Sequence, residues 1–315
     1  IVDYSLIETA LELIIDVIAK SIEETKSLPF DLLSLVSSLF SAQPPRGEIY
    51  EIISTKLFEA LNSESIPHQA SGLLILLVLL VDAPDCSHND APKIADLIMK
   101  AILSEDSLLV QSAASVISVF DETFKSMNVF SAELLKAIIP YIVHPQVEVR
   151  HHCLEATLII SEILDTEIPD FFKSVWELYK ESSPDDLALF FTLIAISIKY
   201  TPEFDDDDVA TVIELLKKVF SEKEDLTIFS SSLTIVHALI SFDSQLSEEL
   251  LPEVIPNISL CLEFENSDVL NSTVHFLSDC ITFFKDAGID VVIPFVPQLL
   301  NFISTPSNEI LTDNI

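Results

Sequence analysis

Glycine is almost missing from this sequence: Gly47, Gly72 and Gly288 are the only three in 315 residues. Tight hairpins, nucleophile elbows and phosphate-cradling loops need glycine where the backbone turns sharply or a ligand comes close. None of GxSxG, HExxH, GxxxxGKS, GxxxxGKT or GxGxxG occurs. The expectation is a protein that is not an enzyme and takes neither cofactor nor metal. Cysteine is also sparse. Cys86, Cys153, Cys261 and Cys280 stand far apart, with no CxxC pair and no visible secretory segment, which implies a reducing compartment, cytosol or nucleus.

Positive charge is scarce too. Sixteen Lys and Arg face 51 Asp and Glu, a formal net charge of −35. Such a field repels nucleic acid and anionic lipid and draws in basic polypeptides at salt-sensitive rates. The longest uninterrupted apolar run, Leu73 to Val81, is far short of the roughly 20 residues that cross a bilayer. It predicts a buried helix and no membrane insertion. Asn257-Ile258-Ser259 and Asn271-Ser272-Thr273 match the glycosylation triplet, but both fall in helical patterns and read as chance matches.

What is present is helical. Within VEVRHHCLEATLII, Val149, Cys153, Ala156, Thr157 and Ile160 follow the i, i+4, i+7, i+8, i+11 spacing of one helix face. The same template starts at Leu28, Ile66, Leu109, Val149, Leu187, Leu226, Val269 and Ile310, at intervals of 38, 43, 40, 38, 39, 43 and 41 residues. A second set lies between, over Pro92–Leu103, Ser131–Val143, Pro169–Tyr179, Asp205–Phe220, Leu250–Leu262 and Val292–Ile303. Proline near a helix start forfeits only an N–H that would lack a partner. A period near 40 with two helices per unit is the signature of HEAT or armadillo arrays, and two helices favour HEAT. The predicted fold is an all-α, right-handed α-solenoid of about seven HEAT-type repeats, one continuous array over residues 1–315. The pattern is cut at both ends, as expected of a piece of a longer solenoid.

Residues 247–303 add a resemblance. Leu250-Leu251-Pro252 with Pro256, and Ile293-Pro294 with Pro297 before Leu299-Leu300, are similar to outer helices of the importin-beta (karyopherin-beta) nuclear transport receptors. Val269 to Asp279, with an early valine, small residues and a late aspartate, resembles the helix that follows in that family. The likeness is to the central and C-terminal repeats and covers the last 80 or so residues best; the first hundred match only in period. It implies a monomeric receptor of cytoplasm, nucleus and nuclear pores. Its implied partners are basic cargo or an importin-alpha-like adaptor, phenylalanine-glycine nucleoporins and the Ran GTPase. Asp205 to Asp208 is shorter than that family's acidic loop and sits between repeats, so it does not inherit that role. The rivals are a HEAT scaffold subunit of a phosphatase or chromosome-organising complex and a helical regulatory segment of a larger enzyme.

Polar positions of the template helices are the candidate contacts for basic partners: Glu155, Glu162, Asp165 and Asp279. Glu8, Glu12 and Asp16 form an acidic stripe that reads as a solvated outer face. His144, His151, His152 and Cys153 include metal-friendly types, but Cys153 is a core position and a metal site is not expected. Cys86 and His88 read as a solvated loop. Trp176, with Phe172 and Tyr179 at helical spacing, reads as packing between repeats, and Phe204 to Asp208 as an acidic helix start.

Overall fold

A computed structural model describes residues 4–34, 36–37, 46–82, 90–119, 131–164, 167–182, 186–221, 225–264, 266–283 and 285–304. The described residues are helical, with no strand among them, as the sequence predicts. The chain forms two compact units, Ile1–Asp165 and Thr166–Ile315.

The first unit holds α1 (Tyr4–Thr25), α2 (Arg46–Leu61), α3 (Ile66–Asp82), α4 (Ala91–Ile102), α5 (Ser107–Ile117), α6 (Ala132–Ile138) and α7 (Val147–Leu164). The template helices α3, α5 and α7 pack in series, α3 on α5 and α5 on α7. The second-set helices α2, α4 and α6 each pack on the template helix that follows them. This order follows from the template: Ala70, Leu73 and Leu74, Leu109, Ala113, Val116 and Ile117, and Val149, Cys153, Ala156, Thr157 and Ile160 are all buried. Each such leucine or isoleucine contributes about 1.5–3 kcal/mol when it leaves water.

Helix starts are fixed by short polar side chains. The Asp106 carboxylate accepts from the N–H groups of Leu108 and Leu109 at 3.0 and 3.2 Å, and the Ser131 hydroxyl from that of Leu134 at 3.2 Å. Buried hydroxyls on the template helices bond back to their own backbone: Ser112 to the Leu108 carbonyl, Thr157 to Cys153 and Ser161 to Thr157, at 2.6–2.7 Å. A small polar residue in the core is thereby satisfied without a partner from another helix.

Three features differ from the periodic reading. The stretch begun by Leu28 enters through a 3-10 turn, Phe30–Leu32, before its described residues 33, 34, 36 and 37 turn α-helical, while residues 35 and 38–45 lie outside the described ones. Arg46 and Gly47, which follow Pro44-Pro45 in a stretch whose sequence suggests a break between helices, open α2. Helix α1, which alternation assigns to the outer layer, packs on the template helix α3 as well as on α2.

The second unit holds α8 (Phe171–Tyr179), α9 (Leu187–Tyr200), α10 (Asp206–Ser221), α11 (Leu226–Phe242), α12 (Ser247–Glu263), α13 (Ser267–Phe283), α14 (Lys285–Val292) and α15 (Val296–Ser304). Again the template helices run in series, α9 on α11 and α11 on α13, with α8, α10 and α12 packed on α9, α11 and α13 respectively. Asp225 caps α11 by accepting from Thr227 and Ile228 N–H. In α11 the buried face is turned from the template: Thr234 is exposed, while Phe229, Leu233, Val236 and Ile240 are buried.

Helix α12 begins at Ser247, earlier than the proline rule places it, so Pro252 and Pro256 lie inside it. Two backbone N–H donors are therefore missing within the helix. Gly288 of α14 sits against the backbone of α13, where a Cβ would meet the Cys280 carbonyl oxygen at 1.7 Å.

Candidate functional site

Helix α7 shows how the candidate site arises. Cys153, Ala156, Thr157 and Ile160 point into the core of the first unit, which turns His152 and Glu155, one turn apart, the other way. The His152 ring stacks on Phe30, centroids 5.4 Å apart and planes 5° apart. Its Nδ1 lies 2.7 Å from the Glu148 carbonyl oxygen, which fixes the ring's plane.

Beside this stack opens a cleft of about 420 Å³. Leu77, Val78 and Val81 at the end of α3 supply its apolar wall, with Val119 beyond α5 and Leu33 beside Phe30. Ser115 and Ser118 also line it, but their hydroxyls donate to the carbonyls of Gln111 and Ser115, so they present little free polarity. Glu155 is exposed at the cleft and, among the described residues, makes no hydrogen bond or ion pair. The cleft thus offers apolar surface, one flat aromatic stack and one free carboxylate.

Of the remaining sequence-derived candidates, only Asp279 is described in full. The Glu162 side chain and the whole of Asp165 lie outside the described residues. Asp279 belongs to the second unit, on α13, where its Oδ2 lies 2.8 Å from Nδ1 of His237 on α11. Both side chains are about one-third exposed, so this carboxylate has a partner within the chain and ties two template helices together.

The acidic stripe of α1 is also used internally. Glu12 accepts from Lys56 of α2 at 3.0 Å, and Asp16 lies 3.4 Å from the His68 ring of α3. Hydrogen bonds from Lys56 to Glu12 and then Glu59, with their negative charges, hold its ammonium well above the usual lysine range.

Among the described residues, no three His, Cys, Asp or Glu side chains are grouped to hold a metal ion. His144 accepts from the Gln146 N–H and His152 stacks on Phe30. Cys153 is buried in the core, where burial pushes its thiol up to about 12. Burial likewise raises Cys280 to about 12, with the Asp279 charge adding to it, and Cys261 to about 11 against an opposing hydrogen bond from Thr273. Such thiols are poor nucleophiles and poor metal ligands. Cys86 and His88 lie outside the described residues.

Trp176 packs on Phe172 and Tyr179, centroids 5.7 and 5.3 Å apart, and Phe172 meets Phe204 edge-on at 4.8 Å. Phe172 thereby joins α8 to the segment leading into α10. Asp205 caps α10 by accepting from the N–H groups of Asp207 and Asp208, and burial raises the Asp208 carboxyl. Among the described residues, no helix is long and apolar enough to cross a membrane.

The sequence pointed to Glu155 but not to its surroundings. Phe30, Val81, Val119 and His152 carry no shared periodicity, and only the stacking of α3, α5 and α7 brings them together. No protein-family model matches the chain, and no curated protein matches it in sequence.

Proposed function

We propose that this chain forms a HEAT-type solenoid that binds basic polypeptides, acting as a nuclear transport receptor of the importin-beta kind. The observation that carries the reading is the packing order. In each unit, template helices spaced by about one sequence period stack directly on one another, which is how a repeat array buries its faces. The charge of −35 supplies the attraction for basic partners, and Glu155 places a free carboxylate beside apolar surface on those same helices. The mechanism is mechanical and electrostatic: small shifts at successive helix-pair interfaces let an array grip and release a ligand without a covalent step.

The test is a pull-down of the purified chain with a basic nuclear import adaptor and with a phenylalanine-glycine repeat peptide. It is run at low and moderate salt, with an acidic protein of different fold as control. Salt-sensitive adaptor capture together with peptide capture, both absent from the control, supports transport. Adaptor capture that the control reproduces reduces the effect to bulk charge. Capture of neither ligand removes the transport reading and leaves a scaffold that holds other proteins.

A further inference from the structure

We infer that the cleft bounded by α3, α5, α7 and residues 30–34 docks a basic polypeptide segment carrying one large apolar side chain beside a lysine or arginine. The inference rests on the reading of the chain as a receptor for basic polypeptides and assigns the place and the chemistry of one contact.

Three observations lead to this ligand. The volume of about 420 Å³ falls in the range of about 300–1,000 Å³ in which clefts bind specific groups. That exceeds what a bare ammonium group needs. Leu33, Leu77, Val78, Val81 and Val119 give the walls aliphatic surface between serines, and Val81 stands 62% exposed and Phe30 36% exposed beside the stacked His152, so apolar surface waits uncovered. Burying such surface is the main favourable term for an incoming aliphatic or aromatic side chain.

The third observation sets the charge. Among the described residues, Glu155 is the one carboxylate lining the cleft, it is unpaired, and no lysine or arginine lines the walls. Across the whole chain carboxylates outnumber cations 51 to 16, so an acidic or phosphorylated ligand is repelled both locally and at long range. A cation adjoining the apolar side chain meets Glu155 as that side chain enters the cleft. The apolar contact supplies affinity and the carboxylate selects sign, which a bare acidic patch does not do.

The test uses the 315-residue chain and two labelled lysine-rich peptides, identical except that one carries a single phenylalanine where the other has serine. Binding is read by fluorescence anisotropy at constant moderate salt. The phenylalanine peptide is expected to bind about tenfold tighter, the order given by burying most of one such side chain. Val81→Lys, at an exposed position that tolerates the change, should erase that preference while the serine peptide still binds. Glu155→Gln should weaken the phenylalanine peptide about two- to fivefold, as for a partly exposed ion pair, and provides the test if the first variant melts abnormally.

Equal binding of the two peptides to the unaltered chain overturns the cleft proposal and leaves the receptor reading standing. So does a phenylalanine preference that survives both substitutions. An uncharged phenylalanine peptide that binds as tightly overturns the role of Glu155. Failure of both basic peptides to bind defeats the receptor reading together with the cleft.

Discussion

At Cys153 burial and chemistry combine in a way that alkali exposes. The side chain is fully buried in α7, and its thiol is held from an ordinary 9.0 up to about 12 by loss of solvation. Below pH 9 the folded and unfolded chains both keep the proton, and the thiol adds no pH dependence. Above it the unfolded chain loses its proton first, so each pH unit removes about 1.4 kcal/mol of stability until the folded value is reached. Cys280 behaves alike and Cys261 over a narrower window. Melting temperature should therefore fall steeply from about pH 9 upward, and Cys153→Ala, which has no proton to lose, should make the fall shallower, leaving the part due to Cys280 and Cys261. Parallel alkaline melting profiles for the variant and the unaltered chain would refute the assignment. Site-resolved alkylation gives a second check: at neutral pH Cys153 should react only after denaturant is added.

At the scale of elements the informative residue is Gly288. A Cβ there would fall 1.7 Å from a carbonyl oxygen and 2.4 Å from a carbonyl carbon of Cys280, so α13 and α14 touch backbone to backbone. At Gly72 of α3 the nearest atoms, at 3.0 Å, belong to the Leu61 side chain of α2, and the Leu61 backbone nitrogen follows at 3.2 Å, so a Cβ needs its neighbours to give by only a few tenths of an ångström. Gly288→Ala should cost about 1–3 kcal/mol or more by forcing the helices apart, and Gly72→Ala distinctly less. Chemical denaturation of the two variants decides it, and equal costs would mean that α14 shifts freely. The sequence could report that glycine is rare but not which one holds two helices together. Template helices were legible because Leu, Ala, Val and Ile recur on one face, as in α3, α5 and α9. The burial of α11 was not, because Thr234 sits at a template position yet points outward. The start of α12 was hidden by Pro252 and Pro256, which a long helix tolerates once both its flanks are packed. The cleft was illegible for another reason: its walls come from residues 30 to 155 and exist only after α3, α5 and α7 have stacked.

For the whole molecule the governing number is the charge. With 51 acidic and 16 basic side chains, even complete pairing leaves 35 carboxylates repelling one another. Among the described residues the ion pairs are mostly at the surface, such as Lys20–Glu24 at 3.9 Å and Lys217–Glu249 at 2.9 Å, where solvent screens most of their attraction. Repulsion should therefore outweigh attraction. Raising sodium chloride from about 0.01 M to about 0.1 M shortens the screening length from about 30 to about 10 Å, and the melting temperature of the chain alone should rise by several degrees. A flat or falling melting temperature would show that ion pairs dominate after all. The affinity for a basic partner should move the other way, because the field that strains the free chain attracts the ligand. Bound basic peptide should consequently raise the melting temperature most at low salt, where repulsion is greatest and binding tightest. If these opposite salt slopes are both found, one surplus of carboxylates accounts for the strain in the free chain and for the grip on its partner. If the peptide stabilises equally at all salt concentrations, attraction to the general field is not what holds it, and apolar contacts such as those of the cleft must carry the binding instead.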